Sequence, residues 1–162
     1  MAGENDTDID AVAQRAIHKA AWRLIPLLCV AYIISYIDRT NVGFAALTMN
    51  PDLGLTPQQF GFAAGMFFVG YCIFEIPSNV ALQRFGARKW LARIMVTWGL
   101  AAAGTAFATG PVSYSVIRFI TGVAEAGFYP GAIFYIATWF PVAVRGRILA
   151  WFVVAVPLSS VI

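Results

Sequence analysis

Apolar residues run through this chain in long blocks, and polar residues gather between them. The hydrocarbon core of a bilayer is about 30 Å thick, which a helix rising about 1.5 Å per residue crosses in roughly 20 residues. Four blocks reach that length with most of their charges at the ends: 23–43, 59–83, 90–109 and 112–140. A fifth begins at 147 and continues to 162, about 24 Å of helix, so the chain is expected to end inside the bilayer. Turn chemistry separates the blocks: Asn50-Pro51 with Gly54, Phe85-Gly86, Gly110-Pro111 and Pro141. The pattern predicts an all-α membrane protein with four complete spans and most of a fifth. A tail at 1–22 precedes a transmembrane region at 23–162.

Composition sharpens this reading. Of 162 residues, 60% are hydrophobic and 12% charged, whereas a soluble domain is about 45–50% apolar and about 25% charged. The net charge of +3 comes from basic residues in short clusters, not from a continuous stripe, so no nucleic-acid partner is expected. The clusters act as topology signals. Arg15, Lys19 and Arg23 precede the first span, Arg84, Arg88, Lys89 and Arg93 separate the second from the third, and Arg145 and Arg147 separate the fourth from the fifth. The other two loops have no Lys or Arg, which predicts a cytoplasmic amino terminus. The acidic start and length of the tail argue against a cleaved signal peptide. The stretch Ala11 to Trp22 has a basic face suited to lying on the membrane surface, with His18, the sole histidine, an interfacial residue. Cys29 and Cys72 sit in apolar runs as small hydrophobes, and no disulfide is expected.

Small residues at Gly61 and Gly65, Ala101 to Gly104, and Gly127 and Gly131 mark places where spanning helices are expected to approach closely. Pro77, Pro130 and Pro157 lie inside spans and are expected to bend them.

Five ionisable residues fall within the spans: Asp38, Arg39, Glu75, Arg118 and Glu125. A central charge costs about 2.5–3.5 kcal/mol on the insertion scale, so five unpaired charges would cost roughly 12–17 kcal/mol. They need partners or an aqueous cavity. Asp38 and Arg39 lie about 22 Å up the first span and Arg118 about 20 Å up the fourth, so the two helices are expected to face each other at that depth. Arg118 and Glu125 are seven residues apart, close to two turns, and share a face. A buried carboxyl without a permanent partner resists ionisation, the property a proton carrier needs, which makes Glu125 the leading candidate; Asp38 is the second, because its neighbour Arg39 and the facing Arg118 can hold it ionised until a competing anion arrives. The alternative is a structural ion-pair network that locks the first and fourth helices together. Glu75, about two turns from the end of its span, is expected to pair with a basic loop residue or a helix end. Tyr36 and Tyr71 lie at similar depth and either offer hydroxyls to a ligand or pack.

Four motifs, in order along the chain, resemble the anion:cation symporter family of the major facilitator superfamily: YIDRTNVG at 36–43, GYCIFEIPSN at 70–79, RFGARKW at 84–90 and RFITGVAEAGFYPG at 118–131. The superfamily's loop after the second span usually reads Gly, three residues, Asp, Arg, one residue, Gly and then basic residues. Here Asn79 and Gln83 replace the Gly and the Asp, while Arg84, Gly86 and Arg88 remain, so Glu75 is expected to take over the Asp partnership. Arg118 and Gly122 match the Arg-x-x-x-Gly pattern of the fourth span that is associated with proton coupling. The resemblance implies a twelve-helix fold in two halves with the site between them, and the remaining helices of the same protein as partners. It implies substrate contacts at Arg39, Tyr36 and Tyr71, proton uptake at Asp38 and Glu125, and gating or charge tuning by Arg118, Glu75, Arg84 and Arg88. The expected activity is proton-coupled symport of a small organic anion (a sugar acid, tartrate or an aromatic carboxylate) across a bacterial inner membrane, with no cofactor or metal.

Three rivals are weighed against it. An intramembrane enzyme would need a motif such as HExxH or GxSxG, and none occurs. A drug antiporter of the same superfamily is disfavoured because Ala155-Val156-Pro157 lacks the Gly-Pro pair usual there. A non-transporting remnant is the third.

Overall fold

A computed structural model describes residues 2–159, with side chains described at residue 12 and residues 14–154. The described chain is helical apart from short connections. The helices are α1 (Ala2–Leu53), α2 (Pro57–Phe85), α3 (Ala87–Ala103, followed by a 3₁₀ turn at Gly104–Phe107), α4 (Pro111–Glu125), α5 (Phe128–Trp139) and α6 (Val142–Ser159). Three stretches among the described residues are long and apolar enough to cross a bilayer: Gln14–Leu53, Pro57–Phe85 and Pro111–Trp139. The stretch Ala11 to Trp22 is helical and continuous with the first span. The side chain of Pro157 lies outside the described residues.

Local chemistry starts and stops these helices. At the start of α2 the Gln59 N–H donates to the Thr56 hydroxyl at 3.3 Å, and the Thr56 N–H donates to the Gln59 side chain at 2.9 Å. Pro57 follows at the first helical position, where its missing N–H costs nothing. At the start of α4 the Ser113 hydroxyl accepts from the N–H groups of Thr109 and Gly110 at 2.9 and 3.0 Å. The end of α5 is held by Arg145, whose guanidinium donates to the carbonyls of Ala137 at 2.6 Å and Phe140 at 3.2 Å. A cation there also complements the negative end of the helix.

The fourth apolar block, expected as one helix over 112–140, is two. Ala126 leaves the helix in an extended conformation and Gly127 takes φ of +83°, a left-handed geometry that side chains disfavour. Space also excludes a side chain at Gly127, because an added Cβ would lie 2.5 Å from the Ser78 hydroxyl of α2. Pro130 is the third residue of α5, where an N–H would have no intrahelical acceptor. The expected bend at Pro130 is therefore a break just before it.

Packing centres on this broken span. In its most apolar window 56% of residues are buried, against 17% in α1 and in α2. Its broadest contact is with α2, and the closest approach is at Gly122. An added Cβ there would overlap the Phe67 carbonyl of α2, and one at Gly70 would lie 2.5 Å from the Phe119 carbonyl. Gly127 and Gly131 pack closely, as expected, whereas Gly61, Gly65 and Gly104 face open space and mark no contact within the described residues. The core has two parts. One joins Leu28, Leu82, Leu91, Ile94, Phe128, Ile136 and Phe152 from five helices, and the smaller joins Leu55, Ala63 and Tyr114.

Gly122→Ala in the full-length protein is expected to cost about 1–3 kcal/mol by forcing α2 away from α4, whereas Gly61→Ala should be neutral. Thermal melting of the detergent-solubilised proteins compares them, and equal melting temperatures for Gly122→Ala and wild type would contradict this packing.

Candidate functional site

Between the two apolar clusters α1 brings Asp38 and Arg39 against α4. Arg39 Nη2 donates to Glu125 Oε1 at 2.7 Å, a charge-assisted hydrogen bond. Arg118 Nη1 stands 4.0 Å from Asp38 Oδ2, close enough for charge attraction and too far for a hydrogen bond. In each pair the α4 partner is buried and the α1 partner is partly open: side-chain exposure is 2% for Glu125 and 5% for Arg118, against 28% for Arg39 and 26% for Asp38. Two adjacent residues on α1 thus meet two residues spaced two turns apart on α4, with opposite signs crossed.

The helix geometry makes these pairings necessary. Glu125 is the last residue of α4, where the helix end carries partial negative charge and disfavours a carboxylate. Removing a carboxylate from water adds a further cost, which Arg39 offsets. The four charges sum to zero, so the quartet can sit at bilayer depth without net charge. Among the described residues Glu125 Oε2, Arg39 Nε, Asp38 Oδ2 and Arg118 Nε have no hydrogen-bond partner, so much of the bonding capacity of the quartet is free.

Aromatic rings complete the site. The Arg39 guanidinium lies 5.3 Å from the Phe67 ring centroid and 5.5 Å from that of Tyr71, and Arg118 lies 5.0 Å from Phe67. A cavity of about 180 Å³ opens between Arg39, Glu125, Tyr71, Phe67, Tyr32 and Phe128. It joins the cation, its carboxylate and a wall of rings, polar groups converging on an otherwise apolar hollow.

The structure brings together Asp38, Arg39, Arg118, Glu125 and Tyr71. Glu125, expected to lack a permanent partner, is paired with Arg39; a long arginine on α1 reaches down to it, which residue depth alone does not show. Tyr36 is half-buried on α1, and its carbonyl accepts from the Thr40 hydroxyl at 3.1 Å; it does not line the cavity. The expected Glu75 pairing with a basic loop residue is absent among the described residues. Its carbonyl accepts from the Asn79 side chain at 2.9 Å while its half-buried carboxylate makes no ion pair. Arg84 and Arg88 are exposed near the joint of α2 and α3, outside the quartet. Phe67, Tyr32 and Phe128 were not foreseen as site residues. Phe67 had one available signal, its position one turn before Tyr71 on the same helix face.

Comparison with known proteins agrees with the helical membrane fold. The family model described as Major Facilitator Superfamily matches residues 28–162. A Pseudomonas putida protein named as a metabolite transport protein, NicT, is 52% identical over 96% of this chain and 36% of its own length. An Agrobacterium vitis protein named as a tartrate transporter is 49% identical over 91% of this chain and 33% of its own length. A quinolone resistance transporter of Acinetobacter baumannii is 47% identical over 90% of this chain and 34% of its own length. The chain thus spans about a third of the length of the curated relatives it matches.

Replacing Arg39 with Ala would strand the buried Glu125, an expected loss of about 3–5 kcal/mol in the full-length protein. The Arg39→Ala/Glu125→Gln double variant should regain most of it. Melting temperatures of the three proteins decide the matter, and a double variant no more stable than Arg39→Ala would remove the pair from the energetics.

Proposed function

This chain belongs to the major facilitator superfamily, and we propose that the full-length protein is a proton-coupled symporter of a small organic anion in a bacterial inner membrane, its amino terminus cytoplasmic. The observation that carries the reading is the Arg39–Glu125 pair at the wall of the cavity. An arginine held by a carboxylate, with space beside it, is a site at which a proton and an anion exchange roles.

Protonation of Glu125 removes one negative charge from a neutral quartet and leaves it with a net positive charge. Arg39 then has no carboxylate partner, and its planar fork faces the cavity between Phe67 and Tyr71. A substrate carboxylate fits that fork with two parallel hydrogen bonds and restores neutrality. Tyr71, and Tyr36 if α1 turns slightly, supply hydroxyls for the rest of the anion. When Glu125 loses its proton on the cytoplasmic side, the regenerated carboxylate competes for Arg39 and expels the substrate. Proton and anion binding are therefore linked reciprocally. The looser Asp38–Arg118 pair offers a second protonation site for an anion with two charges. Arg84 and Arg88 at the cytoplasmic loop, and Glu75 further along α2, serve as gating charges.

Sugar acids, tartrate and aromatic carboxylates share the required carboxylate, and the relative named for tartrate supports that class. The similarity to a quinolone resistance transporter favours a second reading, a proton-driven drug antiporter. Quinolones carry a carboxylate as well, so the direction of transport separates the two readings.

Glu125→Gln in the full-length protein should abolish accumulation driven by a pH gradient and leave substrate exchange largely intact. Each coupled proton supports up to about tenfold accumulation per pH unit, so the loss is large. Uptake of labelled tartrate, galactonate and benzoate into proteoliposomes, with ciprofloxacin efflux measured alongside, tests this. Wild-type accumulation in Glu125→Gln would remove Glu125 from the coupling.

A further inference from the structure

One ring serves both cations of the site. The Cζ atoms of Arg39 and Arg118 lie 5.3 and 5.0 Å from the centroid of Phe67, which is 1% exposed. Tyr71, the other ring near Arg39, is recorded over that guanidinium alone. The two α4 charges are separated by two turns, about 10 Å, and Phe67 lies between the pairs they form.

Its position is fixed by the tightest packing in the fold. The Phe67 carbonyl presses on Gly122, and the Tyr71 N–H nitrogen is 3.1 Å from where a Cβ at Gly122 would stand. Gly122 lies between Arg118 and Glu125 on α4, so the ring keeps a set distance from both. Its edges are also engaged: Phe68 meets it at 89° and 5.3 Å, and Tyr71 at 32° and 6.1 Å. A ring held this way presents a fixed electron-rich face, which attracts a guanidinium strongly where water is scarce.

We propose that Phe67 is a positioning residue of the transport cycle, its ring holding Arg39 and Arg118 in separate pairs and keeping Arg39 in place when an anion replaces Glu125 as its counter-charge. The inference rests on the symport reading for its role in transport, and on the geometry alone for the ring–cation contacts. Arg39 faces Glu125, Tyr71 and Tyr32 besides Phe67, and Arg118 faces Asp38 and Tyr114. Phe67 is the ring the two guanidiniums share.

Progressive fluorination of the ring tests this, because fluorine weakens the electron-rich face while nearly preserving shape. Phenylalanine with one, two and three fluorines is placed at position 67 of the full-length protein by nonsense suppression, alongside Phe67→Tyr and Phe67→Leu. Two measurements follow: melting temperature in detergent, and apparent KM for labelled L-tartrate under an inward pH gradient. Melting temperature should fall with each fluorine, although fluorine makes the ring more hydrophobic. Apparent KM should rise by about three- to thirtyfold across the series with Vmax less affected, and Phe67→Tyr, which keeps a ring, should stay closer to wild type in KM than Phe67→Leu. The melting cost of Phe67→Leu should also shrink when Arg39 or Arg118 is Gln. A melting series flat in fluorine number, or the same Phe67→Leu cost in all three backgrounds, overturns the proposal. Fluorine-dependent melting with a constant KM overturns its transport half. If the wild type does not take up tartrate, that result counts against the symport reading for that anion, and the melting series still decides the ring–cation contacts.

Discussion

Charge at lipid depth organises this molecule. A carboxylate or guanidinium within the hydrocarbon region is tolerated only when paired or wet, and α1 and α4 each carry one of each sign. The crossed pairing of Asp38 with Arg118 and Arg39 with Glu125 neutralises all four. Each pair keeps one member buried and one partly open, so the quartet is both a structural clamp and a surface that a charged ligand can reach. The two pairs also differ in strength. A 2.7 Å hydrogen-bonded contact and a 4.0 Å contact respond differently to the loss of a charge.

The packing around the quartet follows from the same requirement. For α1 side chains to meet α4 at this depth, α4 must be held rigidly against the rest of the bundle. The contact of α2 with Gly122 does this, with Gly70 matching it from the other side. The helix break immediately after Glu125 places the carboxyl at a helix terminus, while Gly127 rests against Ser78. Ser78 in turn accepts a hydrogen bond from the Trp90 indole N–H at 3.0 Å, which connects the joint to the start of α3.

The relatives limit what this third of the protein can specify. Proteins named for tartrate transport and for quinolone resistance are 49% and 47% identical to the chain over nearly the same span. Two proteins named for different cargoes thus share close similarity to the same segment.

Hydrophobic blocks bounded by turn residues determined the helical membrane class, and the seven-residue spacing of Arg118 and Glu125 placed both on one face of one helix. Those are local properties, set by helix period and bilayer thickness. The opposition of Asp38 and Arg118 also followed from depth counting. Which carboxylate Arg39 would take did not, because the reach of a long flexible side chain depends on how two helices cross. The break at Gly127 was hidden for a related reason. Glycine is common in spanning helices as a packing residue, and only its left-handed backbone and its contact with Ser78 identify it as the point where the helix breaks. Spacing marked Gly61 for packing and the Arg-x-x-x-Gly pattern marked Gly122; in the fold the first faces open space and the second touches a carbonyl. Phe67 was one aromatic among many until the fold brought two arginines to its ring, since pairing between charges far apart in the chain is decided only when the helices that carry them pack.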